Sequence, residues 1–180
     1  MKKFLAAVLV MCMVFSVCAY ADTKTELVFD EDLYDGMYLT VCEVMDMYLP
    51  TDWYDYTEAY SEALTDDDMP VGAVVGNEDQ TQLLVVSYIT AENVTEQLGV
   101  SSLEELKEAF EADDYTDVEL IVVNEIDMLT CVIAEKYGDA RSVFIPDSNG
   151  GVYVLSFYPA SDEDFAAIAD NIVASIKPAE

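Results

Sequence analysis

Three groups of side chains in this chain have the types and spacing for chemistry or recognition. Asp66-Asp67-Asp68 sets three hard oxygen donors in a row, the ligand type that calcium takes. Asp30-Glu31-Asp32 with Asp35 offers a second acidic group, but its spacing is not that of an EF-hand: glycine stands at the seventh place (Gly36), and Val41 stands where a bidentate Glu belongs. Acidic runs are more often solvated loops than ion cages, so a calcium-binding module is a secondary reading, with Asp66, Asp67 and Asp68 as its metal ligands. The third group is aromatic. Tyr34, Tyr38, Tyr48, Trp53, Tyr54, Tyr56 and Tyr60 crowd one quarter of the chain. Flat rings stack on glycans and peptides, which makes Trp53, Tyr54, Tyr56 and Tyr60 the candidate ligand-binding set. Tyrosine is also a common strand residue, and packing into a sheet or core is the leading reading.

Catalysis has less to work with. The chain contains no histidine, 37 Asp and Glu, and seven Lys and Arg, of which Arg141 is the sole arginine. Histidine triads, His-ligated zinc and arginine clamps on phosphate are therefore excluded. Glycoside hydrolysis needs two carboxylates about 5–10 Å apart across a cleft, one of them with a raised pKa. So many acids satisfy the distance by chance, and a domain of this size has little room for a cleft. A small carboxylate-based hydrolase is kept as an alternative. A serine nucleophile would need Lys24, Lys107, Lys136 or Lys177 as its base, and none stands in a Ser-x-x-Lys motif. The expectation is a non-enzymatic protein without a cofactor.

The amino terminus reads as a secretory leader over residues 1–21. Lys2 and Lys3 are its basic start, Phe4 to Val17 its apolar stretch, and Ala19-Tyr20-Ala21 a small-x-small cleavage site. The apolar stretch is short for a bilayer span of about 20 residues. Valine at position 17 does not suit a lipobox before Cys18, so an uncleaved anchor and a lipoprotein are the weaker readings. Losing Lys2 and Lys3 takes the net charge from −30 to −32. That charge argues against nucleic acid and anionic membrane surfaces, which call for clustered Lys and Arg. It would attract cationic partners, although its first use is to keep an exported surface soluble. Cys42 and Cys131 remain after cleavage. They are either a disulfide, which an oxidising compartment permits, or two buried thiols acting as small hydrophobes. The second reading leads, since both sit in apolar strand-like runs.

The elements that must position these residues follow from periodicity and turn chemistry. Residues 22–36 read as an acidic, extended lead-in, and 37–180 as one domain. Met37 to Val41 and Val44 to Leu49 are strand-like, joined by a tight link at Cys42-Glu43, and Pro50-Thr51-Asp52-Trp53 is a turn. A short strand near Tyr54, a helix within Glu58 to Asp68, and strands over Val71 to Val75 and Gln82 to Ile89 follow. Ser102 with Glu105 forms a capping box for a helix whose apolar face is Leu103, Leu106 and Phe110. Val118 to Val123, Met128 to Ala134, Ser142 to Ile145 and Val152 to Tyr158 are antiparallel strands linked by turns at 124–127 and 146–151. Ser161 is placed as the cap of a closing helix with Phe165, Ile168, Ala169, Ile172, Val173 and Ile176 on one face. Asp162, Glu163 and Asp164 fill its first turn, and Lys177-Pro178 end it. The fold class is α+β: a twisted, mostly antiparallel sheet flanked by helices.

Leu49-Pro50-Thr51-Asp52-Trp53 after a strand pair, then Val152-Tyr153-Val154-Leu155-Ser156-Phe157 leading into a helix that ends Ile172-Val173-Ala174-Ser175-Ile176, resembles the PsbP-like α/β/α sandwich superfamily. The resemblance covers about residues 37–177. Its motifs are structural, a Leu-Pro-x-x-Trp corner and a capped closing helix, and carry no catalytic residues over. It implies a non-catalytic binding or accessory role. With five bases left after cleavage, docking of the photosystem or Ran type is not implied. The expected product is an exported bacterial protein, monomeric, with a protein, peptide or glycan as partner.

Overall fold

A computed structural model describes residues 24–64, 70–94, 96, 99–113, 115–135 and 138–179. The expected leader at 1–21 lies outside them. In chain order the strands and helices are Thr25–Glu26 (β1), Gly36–Val41 (β2), Met45–Pro50 (β3), Tyr54–Asp55 (β4), Thr57–Leu64 (α1), Val71–Gly76 (β5), Leu83–Ile89 (β6) and Ala91–Asn93 (α2). Then come Leu103–Ala112 (α3), Thr116–Val123 (β7), Ile126–Glu135 (β8), Gly138–Pro146 (β9), Val152–Tyr158 (β10), Glu163–Ala174 (α4) and Lys177–Pro178 (β11).

Eight strands form the main sheet in the order β1-β7-β8-β9-β10-β6-β5-β4, and β11-β3-β2 form a second, three-stranded sheet. Every pairing is antiparallel except β1 with β7. The main sheet is covered on both faces, and the two-residue alternation of its strands shows how. Ile121, Val123, Met128, Val143, Leu155 and Phe157 point to a core shared with α4 and the small sheet. Leu120, Leu129, Cys131, Phe144 and Val154 point the other way, to a core capped by Leu106 and Phe110 of α3. Each such side chain taken fully out of water contributes about 1.5–3 kcal/mol.

Turn chemistry sets the register. Asn124 and Glu125 both take positive φ, 48° and 67°, and Val123 pairs with Ile126. This is a two-residue hairpin turn, tighter than the four positions read from sequence, because Ile126 and Asp127 continue the ladder. At the β2–β3 hairpin Cys42 and Glu43 also have positive φ, and the Val44 N–H donates to the Val41 carbonyl.

Both long helices are capped. In α3 the Ser102 side chain accepts from the Glu105 N–H, as a capping box requires, while the Glu105 carboxylate reaches the N–H and hydroxyl of Ser101, one residue earlier than expected. In α4 the cap is Asp162, not Ser161: its carboxylate accepts from the N–H groups of Asp164 and Phe165. A carboxylate at this position bonds the free N–H groups and meets the positive end of the helix dipole.

Two segments depart from the sequence reading. Lys177-Pro178 do not end the closing helix, which stops at Ala174 with Ser175 as its cap; they form a strand that pairs with Asp46 and Met45 of β3. The acidic lead-in is built into the fold: β1 pairs with β7, and the backbone N–H and carbonyl of Asp30 bond the side-chain amide of buried Asn171 at 2.7 and 2.8 Å. Beside it, buried Ser175 accepts from the Tyr48 N–H and donates to the Ile172 carbonyl. Polar atoms thus tie α4 to the small sheet and to the lead-in.

Candidate functional site

The structure divides the tyrosine-rich quarter into three environments. Trp53 is half-buried in the main core, with its ring centroid 6.0 Å from that of Phe165. It serves the corner after β3 as packing. Tyr54, Tyr56 and Tyr60 form a ladder with ring centroids 6.5 and 6.4 Å apart. The Tyr56 hydroxyl donates to the Asn77 carbonyl and the Tyr60 hydroxyl to Gln80 Oε1. Two of the three rings therefore fasten α1 and the residue before it to the β5–β6 turn, and Tyr54 alone is mostly free, at 52% exposure.

The third environment lies on the small sheet. Tyr38 and Tyr48 are opposed in the β2–β3 ladder, with ring centroids 5.3 Å apart. Phe29 packs edge-on against Tyr48 at 5.2 Å, and Tyr34 stacks on it at 5.6 Å while donating its hydroxyl to the Tyr48 carbonyl. Lys177 Nζ sits 4.1 Å above the Tyr38 ring. Gly36 permits the stack, because a Cβ there would meet Tyr48, Tyr34 and the Leu49 carbonyl within 2.9 Å. The outer part of this surface is open: Met37, Tyr38 and Leu39 are 49%, 42% and 44% exposed, and Val44 and Leu33 are exposed beside them. The sequence reading counts Tyr38 among the aromatics and places Met37 and Leu39 only in a strand-like run. The overlooked signal was a strand apolar at both alternations, next to a partner strand already rich in apolar residues.

Charge surrounds this surface. Burial raises the pKa of Tyr38 above the ordinary tyrosine value, and Glu31, Tyr48 and Asp46 add to the shift. Tyr34 is pushed up further, again chiefly by burial. The folded state therefore keeps a phenolic proton that the unfolded chain releases above its ordinary value of 10.0. More protons bound in the folded state means that stability is intact below that pH and is lost as pH rises past it. Denaturant midpoints should fall across about pH 10 to 11, and less steeply for Tyr34→Phe than for the parent. An equal decline in both would remove Tyr34 as the cause.

The remaining sequence candidates do not assemble. Asp66, Asp67 and Asp68 lie outside the described residues. Asp30 and Asp35 are engaged locally, the one capping the Asp32 N–H and the other accepting from the Thr51 hydroxyl. Among the described residues no group of three or more Asp, Glu or Cys is placed to hold a metal ion. Of the two readings of Cys42 and Cys131 the structure has the free thiols and not the disulfide. The reason is topological, since Cys131 faces the α3 core while Cys42 packs against the core on the opposite face of the sheet. Burial pushes the Cys131 thiol up to about 12, and raises Cys42 as well. Near pH 8 a maleimide should label half-buried Cys42 first and reach Cys131 only after unfolding. Equal labelling of both in the folded protein, read by intact mass, would contradict this placement. Arg141, the sole arginine, pairs with Asp170 of α4 and reaches Thr130, so it too is part of the framework.

A cleft of about 650 Å³ opens between α2, the start of α3 and the β9–β10 turn. Its carboxylates are Glu105 and Asp147. Hydrogen bonds from Ser101 hold Glu105 below the usual range. Burial pushes Asp147 up, but bonds from Asn149, Tyr88 and Ser148 together outweigh it and leave the carboxyl lowered. Neither has the raised pKa that a general acid needs.

No family model matches the chain and no curated protein matches its sequence. Solved structures do. The solution structure of cyanobacterial PsbP (CyanoP) from Synechocystis sp. PCC 6803 is 10% identical, with 81% of this chain and 93% of that one covered at a TM-score of 0.50. A crystal structure from Bacteroides thetaiotaomicron VPI-5482 is 15% identical, with 81% of this chain covered and a TM-score of 0.47; the match spans 49%, about half, of that protein's length. The mostly antiparallel sheet between α3 on one face and α4 with a small sheet on the other is thus an α+β sandwich of PsbP-like fold.

Proposed function

We propose that this chain is an exported, non-catalytic binding or accessory protein that recognises a partner through the tyrosine-rich, apolar surface of the small sheet. The observation that carries this reading is the run Met37-Tyr38-Leu39. Each of its residues is more than two-fifths exposed, Tyr38 on the face of an ordered aromatic stack and Met37 and Leu39 on the other face of the same edge strand. Contiguous exposed apolar surface on a folded domain marks interaction sites. Rings held in place before binding lower the ordering cost of association. The −32 charge of the exported form disfavours nucleic acid and anionic membranes and favours a cationic partner. The lowered carboxyls in the cleft support a non-catalytic role.

The test is site-specific cross-linking in cells that export the protein, with benzoylphenylalanine in place of Leu39 or of Tyr54. A discrete adduct from position 39 and none from 54, identified by mass spectrometry, is the expected result. Adducts from 54 alone would move recognition to the Tyr54–Tyr56–Tyr60 ladder. Binding to the identified partner should weaken between low and high salt; an unchanged affinity would remove the acidic residues from recognition.

A further inference from the structure

We propose that β2 accepts an extended, lysine- or arginine-bearing segment of a partner protein as an added strand, main chain to main chain. This rests on the reading of the small sheet as the recognition surface, and specifies how recognition occurs. The main sheet ends in β1 and β4, which have two residues each, too short to template another chain. The small sheet ends in β2, six residues with the sequence Gly-Met-Tyr-Leu-Thr-Val, without a charge or a proline. Among the described residues no backbone group bonds its outward edge. Natural edge strands are blunted by charge, proline, a bulge or a cover; the described part of the chain provides none of these for β2.

The edge is prepared on both faces. Tyr38 and Thr40 lie on the face of the aromatic stack, where Tyr48 and Phe29 brace Tyr38 and Asp46 bonds Thr40 at 2.7 Å. Met37 and Leu39 lie on the other face, beside the buried Met47 and Leu49 of β3, and remain nearly half exposed. An added strand would cover both pairs with its alternate side chains, as cross-strand neighbours do.

Charge selects the occupant. Asp35 immediately precedes the strand, Glu43 lies in the turn that follows it, and Glu31 and Asp46 stand close to Tyr38, outnumbering Lys177 over the same ring. If a second copy paired antiparallel about Leu39, Met37 would face Val41, and Asp35 of each copy would come opposite Glu43 of the other. Like charges opposed across a ladder repel, and each exported chain brings −32 to the encounter. A segment with basic residues flanking an apolar centre turns the same acids into attraction.

The probe is a synthetic ten-residue peptide of alternating valine and threonine with two lysines at each end. The control is the same peptide N-methylated at alternate residues, which removes its donors on one edge and keeps its side chains and charge. Amide exchange should slow at alternate residues within 36–41 on adding the probe, and the N-methylated peptide should bind about 100-fold more weakly. Met37→Lys with Leu39→Lys, at half-exposed positions, should leave the melting temperature close to that of the parent and weaken the probe at least about 10-fold. Equal affinity for the two peptides would overturn strand addition while leaving the surface reading in place. No binding of the probe also overturns it; cross-linking at position 39 then decides the surface reading separately. Protection in the protein alone of those amides of 36–41 that point away from β3 would show the edge already occupied. If it grows with protein concentration the occupant is a second copy, if not a segment of the chain itself, and either overturns the proposal.

Discussion

Replacing Phe165 by alanine is expected to lower stability by about 3–5 kcal/mol, the range for a buried phenylalanine. Its side chain is 1% exposed in the first turn of α4, between Trp53 at 6.0 Å and Phe157 of β10 at 6.3 Å. Truncation would leave a cavity where the helix, the Leu-Pro-x-x-Trp corner and the main sheet meet. A domain of this kind is stable by about 5–15 kcal/mol in all, so the variant should be near the limit of folding at 37 °C. Trp53 is the sole tryptophan, so its fluorescence reports on the same site, and a denaturant titration gives both the loss and its location. Phe165→Leu should recover more than half of the loss, because it refills most of the volume. A change below about 1 kcal/mol for the alanine variant would mean that α4 is not anchored there.

Asn171→Leu is expected to cost about 2–3 kcal/mol through a different mechanism. The Asn171 amide satisfies both backbone groups of Asp30, and leucine leaves each without its partner, at about 1–3 kcal/mol where water cannot replace it. The loss should be local as well as global. The lead-in carries Phe29 and Tyr34, which brace Tyr48 beneath the exposed surface. Amide exchange at Asp30 and Leu33 should speed up well before that of β8 and β9, and the lysine-flanked peptide should bind less tightly because its platform is looser. A uniform change in exchange across the chain would show Asn171 to be a general core residue, without a special part in holding the lead-in.

Much of the sandwich was legible because its signals are local. The four central strands alternate or run apolar between turn residues, and the Asn124 and Asn149-Gly150 turns mark two of their hairpins. The apolar face of α4 recurs at helical spacing, and Phe165, Ala169, Ile172 and Val173 are all buried; Ile176, read as part of the same face, is buried just beyond the helix end. The misplaced cap of α4 is a local error of one residue: Ser161 and Asp162 are both good caps, and the choice depends on which carries the extended backbone. The missed partners are of another kind. Asn171, Ser175 and Lys177 looked like the polar side and the end of a helix. They act on Asp30, Tyr48 and Asp46, which lie more than 125 residues away in the chain.

Sequence alone determined the chemistry that is excluded, the strong negative charge, the two long amphipathic helices and the antiparallel strand order of the second half. These follow from side-chain type and from periodicities of 2 and 3.6 residues, which need no knowledge of distant contacts. Only the tertiary structure decided which apolar residues stay in water. Met37 and Leu39 belong to the same kind of strand-like apolar run as Met47 and Leu49, their ladder partners, yet only the latter two are buried. What separates them is position in a sheet: β3 lies between β11 and β2, while β2 has a neighbour on one side only. Sheet order and the choice of face are set by pairings across the whole chain, and they turn a tyrosine-rich stretch into a half-buried corner, a tethered ladder and one open edge.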